Sequence, residues 1–210
     1  MAPGTCDLEP FPVHAWIVRH PAGVVLVDTG IGTGNDLIGA WYRPLVTPLV
    51  DALGSLGLDP GDITAVVLSH LHFDHCGQQG ALAAPVYVQR AEHDAAQMPR
   101  YPVPEWAAIP AERLRLVDGD AEIMDGLRLV STPGHTPGHQ SVVIEAANER
   151  VVLATQCAYR ASELRTGQAS RTNVHDDARQ AVAGQSLDRI RSLAPATIHL
   201  SHDPETVVLR

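Results

Sequence analysis

The chain of 210 residues contains no lysine, and all fifteen of its positive charges are arginines. Without a lysine amine the protein cannot form a Schiff base with a carbonyl substrate, and it has no Gly-Lys-Ser/Thr phosphate loop. Acidic residues outnumber basic ones, which gives a formal net charge of −9. This balance argues against nucleic acid or an anionic membrane surface as a partner.

Cysteines and long apolar runs are also scarce. Cys6, Cys76 and Cys157 are too few and too scattered for a disulfide framework. No apolar run approaches the ~18 residues of a membrane-spanning helix, and the first residues lack the basic and then apolar stretches of a signal peptide. We therefore expect a cytoplasmic protein with no membrane partner, and the sequence leaves its oligomeric state open.

Strand-like and helix-like segments alternate along the chain. Apolar, β-branched runs over residues 24–28 and 63–68 predict strands, and the spacing of apolar residues over 44–56 and 176–193 predicts helices. Short runs near residues 114–116 and 127–130 are predicted as two strands around a turn. This alternation favours a layered α/β fold, with residues 1–210 forming a single domain.

Histidine is the residue type present in excess, with eleven in the chain and seven of them in three short clusters. The densest cluster, H-L-H-F-D-H, directly follows a predicted strand. His70 and His72 can project to the same side of an extended chain, while Asp74 and His75 turn towards a neighbouring point. The spacing predicts two adjacent metal ions. Imidazole and carboxylate donors suit zinc best, with iron or manganese as alternatives.

This cluster resembles the signature of the metallo-β-lactamase superfamily, and companion motifs follow in the expected order. V-L-V-D-T-G, from residue 25, resembles the early strand and turn of that family. T-P-G-H-T-P-G-H, from residue 132, resembles its second histidine motif, and L-S-H-D, from residue 200, its last. The resemblance covers about residues 13–206. It implies an α/β, metallo-β-lactamase-like αββα four-layer sandwich with two metal ions, expected to be zinc, at one sheet edge.

The resemblance also implies which residues hold these ions. Asp28 and His139 are expected to orient ligands without binding metal themselves, as such partners commonly do. The implied ligands are His70, His72 and His135 for one ion and Asp74, His75 and His202 for the other.

One position departs from the family pattern. Where the family carries an aspartate that bridges the two ions, this chain has Gln156, whose amide brings no charge and bridges poorly. A Cys157 thiolate would bind zinc well, but successive extended side chains point to opposite faces, so the two residues are not expected to share the site. Three alternatives stay open: Gln156 is a weak ligand or lines the pocket, Cys157 is a ligand, or neither residue takes part. The departure predicts that the ion held by Asp74, His75 and His202 binds more weakly than the ion held by the three histidines of the other set.

Narrower features resemble the N-acyl homoserine lactonases, metal-dependent hydrolases of a small-molecule lactone. The resemblance implies that Asp74 moves a proton during attack by an activated water, and that Tyr159 donates a hydrogen bond to the lactone carbonyl. Phe73, Tyr101 and Trp106 are predicted to line an apolar substrate pocket, with ordinary packing as the alternative for the tyrosines and the tryptophan. A thioesterase of glyoxalase II type and a degenerate, non-catalytic metal-binding protein are the competing hypotheses.

Overall fold

The computed structural model describes residues 11–98, 101, 103–170 and 177–210. Its strands are β1 (Trp16–His20), β2 (Gly23–Val27), β3 (Ile63–Val67), β4 (Val86–Gln89), β5 (Leu114–Val117), β6 (Ala121–Met124), β7 (Leu127–Ser131), β8 (Gln140–Glu145), β9 (Arg150–Thr155), β10 (Ala196–Leu200) and β11 (Val207–Leu209). Its α-helices are α1 (Asp36–Tyr42), α2 (Leu49–Ser55), α3 (Phe73–Cys76), α4 (Arg90–Ala96), α5 (Pro104–Ala107), α6 (Ala161–Thr166) and α7 (Asp177–Arg191).

The strands form two sheets that pack face to face. The first has the order β1-β2-β3-β4-β5, and the second has the order β11-β10-β9-β8-β7-β6. Val27 and Val67 of the first sheet pack with Leu129 and Leu153 of the second in the central apolar cluster. Helices α2 to α5 cover the outer face of the first sheet, and α6 and α7 cover that of the second. The predicted four-layer αββα sandwich is confirmed.

Several predicted boundaries were wrong. The helix expected over residues 44–56 is only α2, because Pro48 precedes it and the residue before a proline avoids the helical conformation. Leu45, part of the predicted apolar stripe, is 98% exposed. Strands β5 and β7 do not flank a turn, since they lie in different sheets and the unpredicted β6 comes between them. Helices α1 and α6 were also missed, and the predicted start of the last helix at Asp176 lies outside the described residues.

The loops that follow β2, β3, β7, β9 and β10 meet at one edge of the sandwich. Buried Gln140 connects the two sheets there, because its Nε2 donates to the backbone oxygens of Leu68 (2.9 Å) and Tyr87 (3.1 Å). The backbone N–H of Gln140 also donates to the oxygen of Ser69. These bonds hold the loop after β3 against the start of β8. Within the described residues, no helix has the length and apolar character needed to cross a membrane.

Candidate metal centre

Six side chains at this edge form two groups of potential metal ligands. In each group the donor atoms lie within 4.8 Å of one another, and the ring centres of His70 and His75, one from each group, are 4.1 Å apart. The structure therefore brings together all six residues that the sequence predicted as ligands. The all-histidine group consists of His70, His72 and His135, and the Asp74 group consists of Asp74, His75 and His202.

The short helix α3 divides the H-L-H-F-D-H segment between the two groups. His72 has an extended backbone directly before the helix, and His70 lies two residues earlier, whereas Asp74 and His75 lie within the helix. The change from extended chain to helix turns the second pair of side chains away from the first. A single loop of six residues thereby supplies ligands to both groups.

The all-histidine group has the donor chemistry of a cation site. Nδ1 of His72 and Nε2 of His135 face each other at 2.9 Å, and the buried Nε2 of His70 makes no hydrogen bond with any described residue. Burial, assisted by the neighbouring imidazoles, lowers the pKa of His70 well below its usual value, and burial lowers the pKa of His72 to about 4. These imidazoles are neutral at pH 7 and offer lone pairs, so the residues fit a metal ion.

The Asp74 group is held by carboxylates. Nδ1 of His75 donates to Oδ2 of Asp28 at 2.8 Å, while Nε2 of His75 and of His202 lie 3.6 Å and 3.5 Å from Oδ2 of Asp74. Although burial opposes it, Asp74 and Asp28 raise the pKa of His75 to about 9. Burial lowers the pKa of His202 to about 4. Two imidazole nitrogens beside one carboxylate oxygen match a donor set that zinc accepts.

Asp28 orients ligands from outside both groups. Its Oδ1 accepts the backbone N–H of Ser69 (2.7 Å), and its Oδ2 accepts the Ser69 hydroxyl (2.8 Å) as well as His75. The Ser69 hydroxyl lies 3.1 Å from Nδ1 of His70. Asp28 adopts a left-handed conformation with φ of 58°, which aspartate tolerates better than most residues. One carboxylate thus fixes a histidine of each group, directly for His75 and through Ser69 for His70.

His139 is also a supporting residue. Its Nδ1 bonds the backbone oxygen of Thr132 at 3.0 Å, and its Nε2 accepts the backbone N–H of Gln156 at 3.2 Å. The Thr155 hydroxyl lies 2.8 Å from the same Nε2. Both ring nitrogens are therefore engaged with protein groups, and burial lowers the pKa of His139 to about 3. The ring anchors the segment that carries Gln156.

The sequence matches the Metallo-beta-lactamase superfamily over residues 8–202. The chain belongs to this superfamily. An N-acyl homoserine lactonase of a Bacillus species is 36% identical over 168 residues, which cover 74% of this chain and 66% of the relative. The corresponding enzyme of Agrobacterium fabrum is 33% identical over 172 residues, covering 69% and 64%. The matched regions span slightly less than two thirds of the length of these relatives.

Solved structures of lactonases are also similar to this chain. A quorum-quenching N-acyl homoserine lactone lactonase has a TM-score of 0.79 at 28% identity, with 94% of this chain and 84% of that chain covered. An N-acyl homoserine lactone hydrolase, with the product N-hexanoyl-L-homoserine bound at its catalytic metal center, has a TM-score of 0.78 at 27% identity, covering 96% and 91%. The resemblance to lactonases inferred from the motifs is confirmed.

Gln156, the departure from the superfamily pattern, lies on the side of the Asp74 group. Its Oε1 is 3.1 Å from Nε2 of His202, and the residue is 2% exposed. The preceding Thr155 has a φ of 50°, a strained conformation for a β-branched residue, and this turn directs Gln156 towards the ligands. Cys157 instead packs in the apolar cluster between the second sheet and its helices.

Aromatic rings surround the ligand groups on their open side. Tyr159 stacks on His202 with ring centres 4.8 Å apart, and Phe11 lies 5.2 Å from Tyr159. The ring centres of Phe73 and Tyr42, a residue of α1, are 4.8 Å apart. The sequence analysis missed Phe11 and Tyr42, whose positions in the chain gave no signal. Together these rings form an apolar rim around the ligands.

Tyr101 and Trp106, the other two predicted pocket aromatics, have different surroundings. The ring of Tyr101 lies 5.3 Å from that of His72, and its hydroxyl donates to the buried carboxylate of Glu92. Trp106 packs against the apolar cluster on the outer face of the first sheet, directly over Gly32. This placement favours the packing alternative for Trp106 over a position in the pocket wall. Glu92 was missed by the sequence analysis.

Proposed function

We propose that this chain is a zinc-dependent hydrolase that opens the lactone ring of an acylated homoserine lactone. The observation that carries the proposal is the meeting of two ligand groups at one sheet edge with the Tyr159 ring stacked on His202. The similarity to N-acyl homoserine lactonases supports the substrate class. We propose that the all-histidine group and the Asp74 group each hold one ion, with Gln156 as a weak additional donor to the latter.

Asp74 is positioned to move a proton. When bound, ions of this kind polarise a carbonyl group and lower the pKa of water towards about 7. Although burial opposes it, the neighbouring imidazoles of His75 and His202 lower the pKa of Asp74, which is therefore a carboxylate at neutral pH. Its oxygen accepts the proton of the attacking water and returns it to the ring oxygen when the carbon–oxygen bond of the lactone breaks.

Tyr159 is positioned to stabilise charge on the carbonyl oxygen. Burial and the Asp74 carboxylate raise the pKa of Tyr159 to about 12, so its phenol stays protonated at the pH at which the reaction runs. Stacking on His202 restricts the ring to one orientation beside the ligands. A fixed O–H donor is worth most where negative charge develops in the transition state.

The apolar rim supplies a surface for the acyl chain. Phe11 is 45% exposed and Tyr42 is 62% exposed, although both rings contact other aromatic residues at the site. Exposed aromatic surface next to a polar centre is typical of sites that bind an amphipathic small molecule. We assign Phe11, Tyr42 and Phe73 to contacts with the acyl group, and Tyr101 to the wall beside His72.

The test is a comparison of three substrates with zinc-loaded protein: N-hexanoyl-L-homoserine lactone, a glutathione thioester and an aryl phosphodiester. We expect the lactone to be hydrolysed fastest and His72→Ala to abolish the reaction. Faster hydrolysis of the thioester would favour the glyoxalase II type of activity. Zinc-loaded protein that turns over none of the three would instead indicate a non-catalytic metal-binding protein.

A further inference from the structure

Glu92 is a fully buried carboxylate outside both ligand groups, in the first turn of α4. Its Oε1 accepts the backbone N–H of Leu71 at 3.0 Å and the hydroxyl of Tyr101. Its Oε2 accepts the backbone N–H of Gly138 at 3.1 Å. A buried carboxylate is costly unless it is hydrogen-bonded, and these three donors meet that requirement.

The three donors belong to different segments of the site. Leu71 lies between His70 and His72 in the chain, and Gly138 lies three residues after His135. A single side chain therefore bonds both loops that carry the all-histidine group.

The backbone of α4 also contacts the loop that carries His135 directly. A Cβ atom added to Gly138 would lie 2.1 Å from the backbone nitrogen of Glu92 and 2.6 Å from its Cα, so only glycine allows the loop to approach the helix this closely. The loop that carries His135 thus rests on α4 while the Glu92 side chain bonds it.

We propose that Glu92 is a positioning residue for the all-histidine group. It holds the loop of His70 and His72 and the loop of His135 at the distance at which their imidazoles bind one ion. This inference rests on the metal-binding role proposed above. Glu92 bonds both loops of the all-histidine group, but none of its three hydrogen bonds reaches a ligand of the Asp74 group directly. We therefore expect its loss to weaken chiefly the ion of the all-histidine group.

The phenol of Tyr101 is the third hydrogen-bond donor to Glu92. Burial and the neighbouring Glu92 raise the pKa of Tyr101, so it remains a hydrogen-bond donor over the whole useful pH range. The ring centres of Tyr101 and His72 are 5.3 Å apart. Tyr101 therefore contacts the Glu92 carboxylate through its hydroxyl and the all-histidine group through its ring.

Glu92→Gln tests the proposal with almost no change in shape. An amide has one accepting oxygen and one donating nitrogen, so either Leu71 or Gly138 is left with its N–H facing another donor. We expect the affinity for one of the two zinc ions to fall roughly 10- to 100-fold, as loss of an outer partner commonly causes. The measurement is a zinc titration against a chromogenic chelator, with bound zinc counted by mass spectrometry.

Two further variants separate positioning from stability. Glu163→Gln is the matched control, because buried Glu163 also accepts three backbone N–H bonds, from Tyr159, Arg160 and Ser170. It should lower the Tm of the metal-free protein and leave the zinc affinity of the all-histidine group unchanged, because its bonds reach the segment of Tyr159 beside His202 instead. In a His135→Ala background, Glu92→Gln should cause no additional loss of zinc affinity, because the group it positions is already broken.

The outcomes distinguish this inference from the proposed function. Equal weakening of both ions, or zinc affinities in Glu92→Gln that match those of the wild type, would overturn the inference alone. Wild-type protein that binds no zinc would refute the proposed function as well. If Glu92→Gln does not fold, Tyr101→Phe decides, because it removes one donor and keeps both loop contacts. It should weaken the same single ion by a smaller factor, and no change would refute the proposal.

Discussion

The two ligand groups lie side by side but differ in charge and in the residues that hold them. The all-histidine group has no charged ligand, and Arg179 donates to the backbone oxygen of His135 beside it. Burial chiefly, and Arg179 in part, lower the pKa of His72. The Asp74 group contains one carboxylate ligand, and Asp28 adds a second carboxylate behind His75.

This difference in charge indicates which group binds a divalent cation more tightly. A divalent cation gains more Coulomb energy from a carboxylate than from a neutral imidazole, and the Gln156 oxygen beside His202 adds a further donor on the same side. We therefore expect the Asp74 group to fill first, once zinc has displaced the proton that Asp74 and Asp28 hold on His75. The sequence predicted the opposite order. The sequence showed that a charge was missing at residue 156 but not which group that side chain faces.

The largest effect should come from His202→Ala, which removes a ligand from the Asp74 group, the group expected to bind zinc more tightly. Removing a direct ligand should weaken the first zinc by more than the roughly 100-fold that loss of an outer partner costs, and lactone hydrolysis should disappear. Zinc titration and turnover measure the two effects. His199→Ala is the control, because His199 lies on the same strand, β10, and its Nδ1 faces Thr206. Retention of tight zinc binding in His202→Ala would reverse the ranking of the groups.

Gln156→Asp should reduce the difference in zinc affinity between the two groups. A carboxylate at this position adds one negative charge near both ions and lessens their repulsion, so we expect the second zinc to bind about 10- to 100-fold more tightly. Gln156→Asn is the control, since asparagine has the shape of aspartate without its charge. A gain of the same size in both variants would attribute the effect to side-chain length, and two tightly bound ions in the wild type would show that no charge is needed.

The smallest effect should come from Tyr159→Phe, which leaves both ligand groups intact. We expect unchanged zinc content and a kcat lower by roughly 10-fold or more, as expected when a transition-state donor is lost. Tyr87→Phe, within the first sheet, is the control. A kcat equal to that of the wild type would assign Tyr159 to packing on His202 alone.

Sequence reasoning found most of the candidate ligands because their pattern is local. His70, His72, Asp74 and His75 lie within one loop, and Asp28 follows a strand in a recognisable motif. The ends of neighbouring strands then place these residues at one edge of the sheets.

The residues that were missed depend on contacts between distant parts of the chain. Glu92, in a short polar helix, has the pattern of a solvent-facing residue, and only the meeting of two loops buries it. The ring of Phe11 lies beside that of His202, although the two residues are at opposite ends of the sequence, and α1 carries Tyr42 to Phe73. No periodicity within a single segment encodes such contacts.

The exposed rim has an optical consequence. Of the three tryptophans, Trp16 and Trp106 are half-buried, whereas Trp41 is 82% exposed and adjoins Tyr42 in α1. A solvated indole emits at longer wavelength than a shielded one, so the red edge of the protein's fluorescence belongs to the helix beside the site. Molecules that settle on that helix displace water from Trp41 and shift this emission to the blue. Trp41 is the neighbour in sequence of Tyr42, whose ring lies beside that of Phe73, so its emission offers an unlabelled probe of binding to α1.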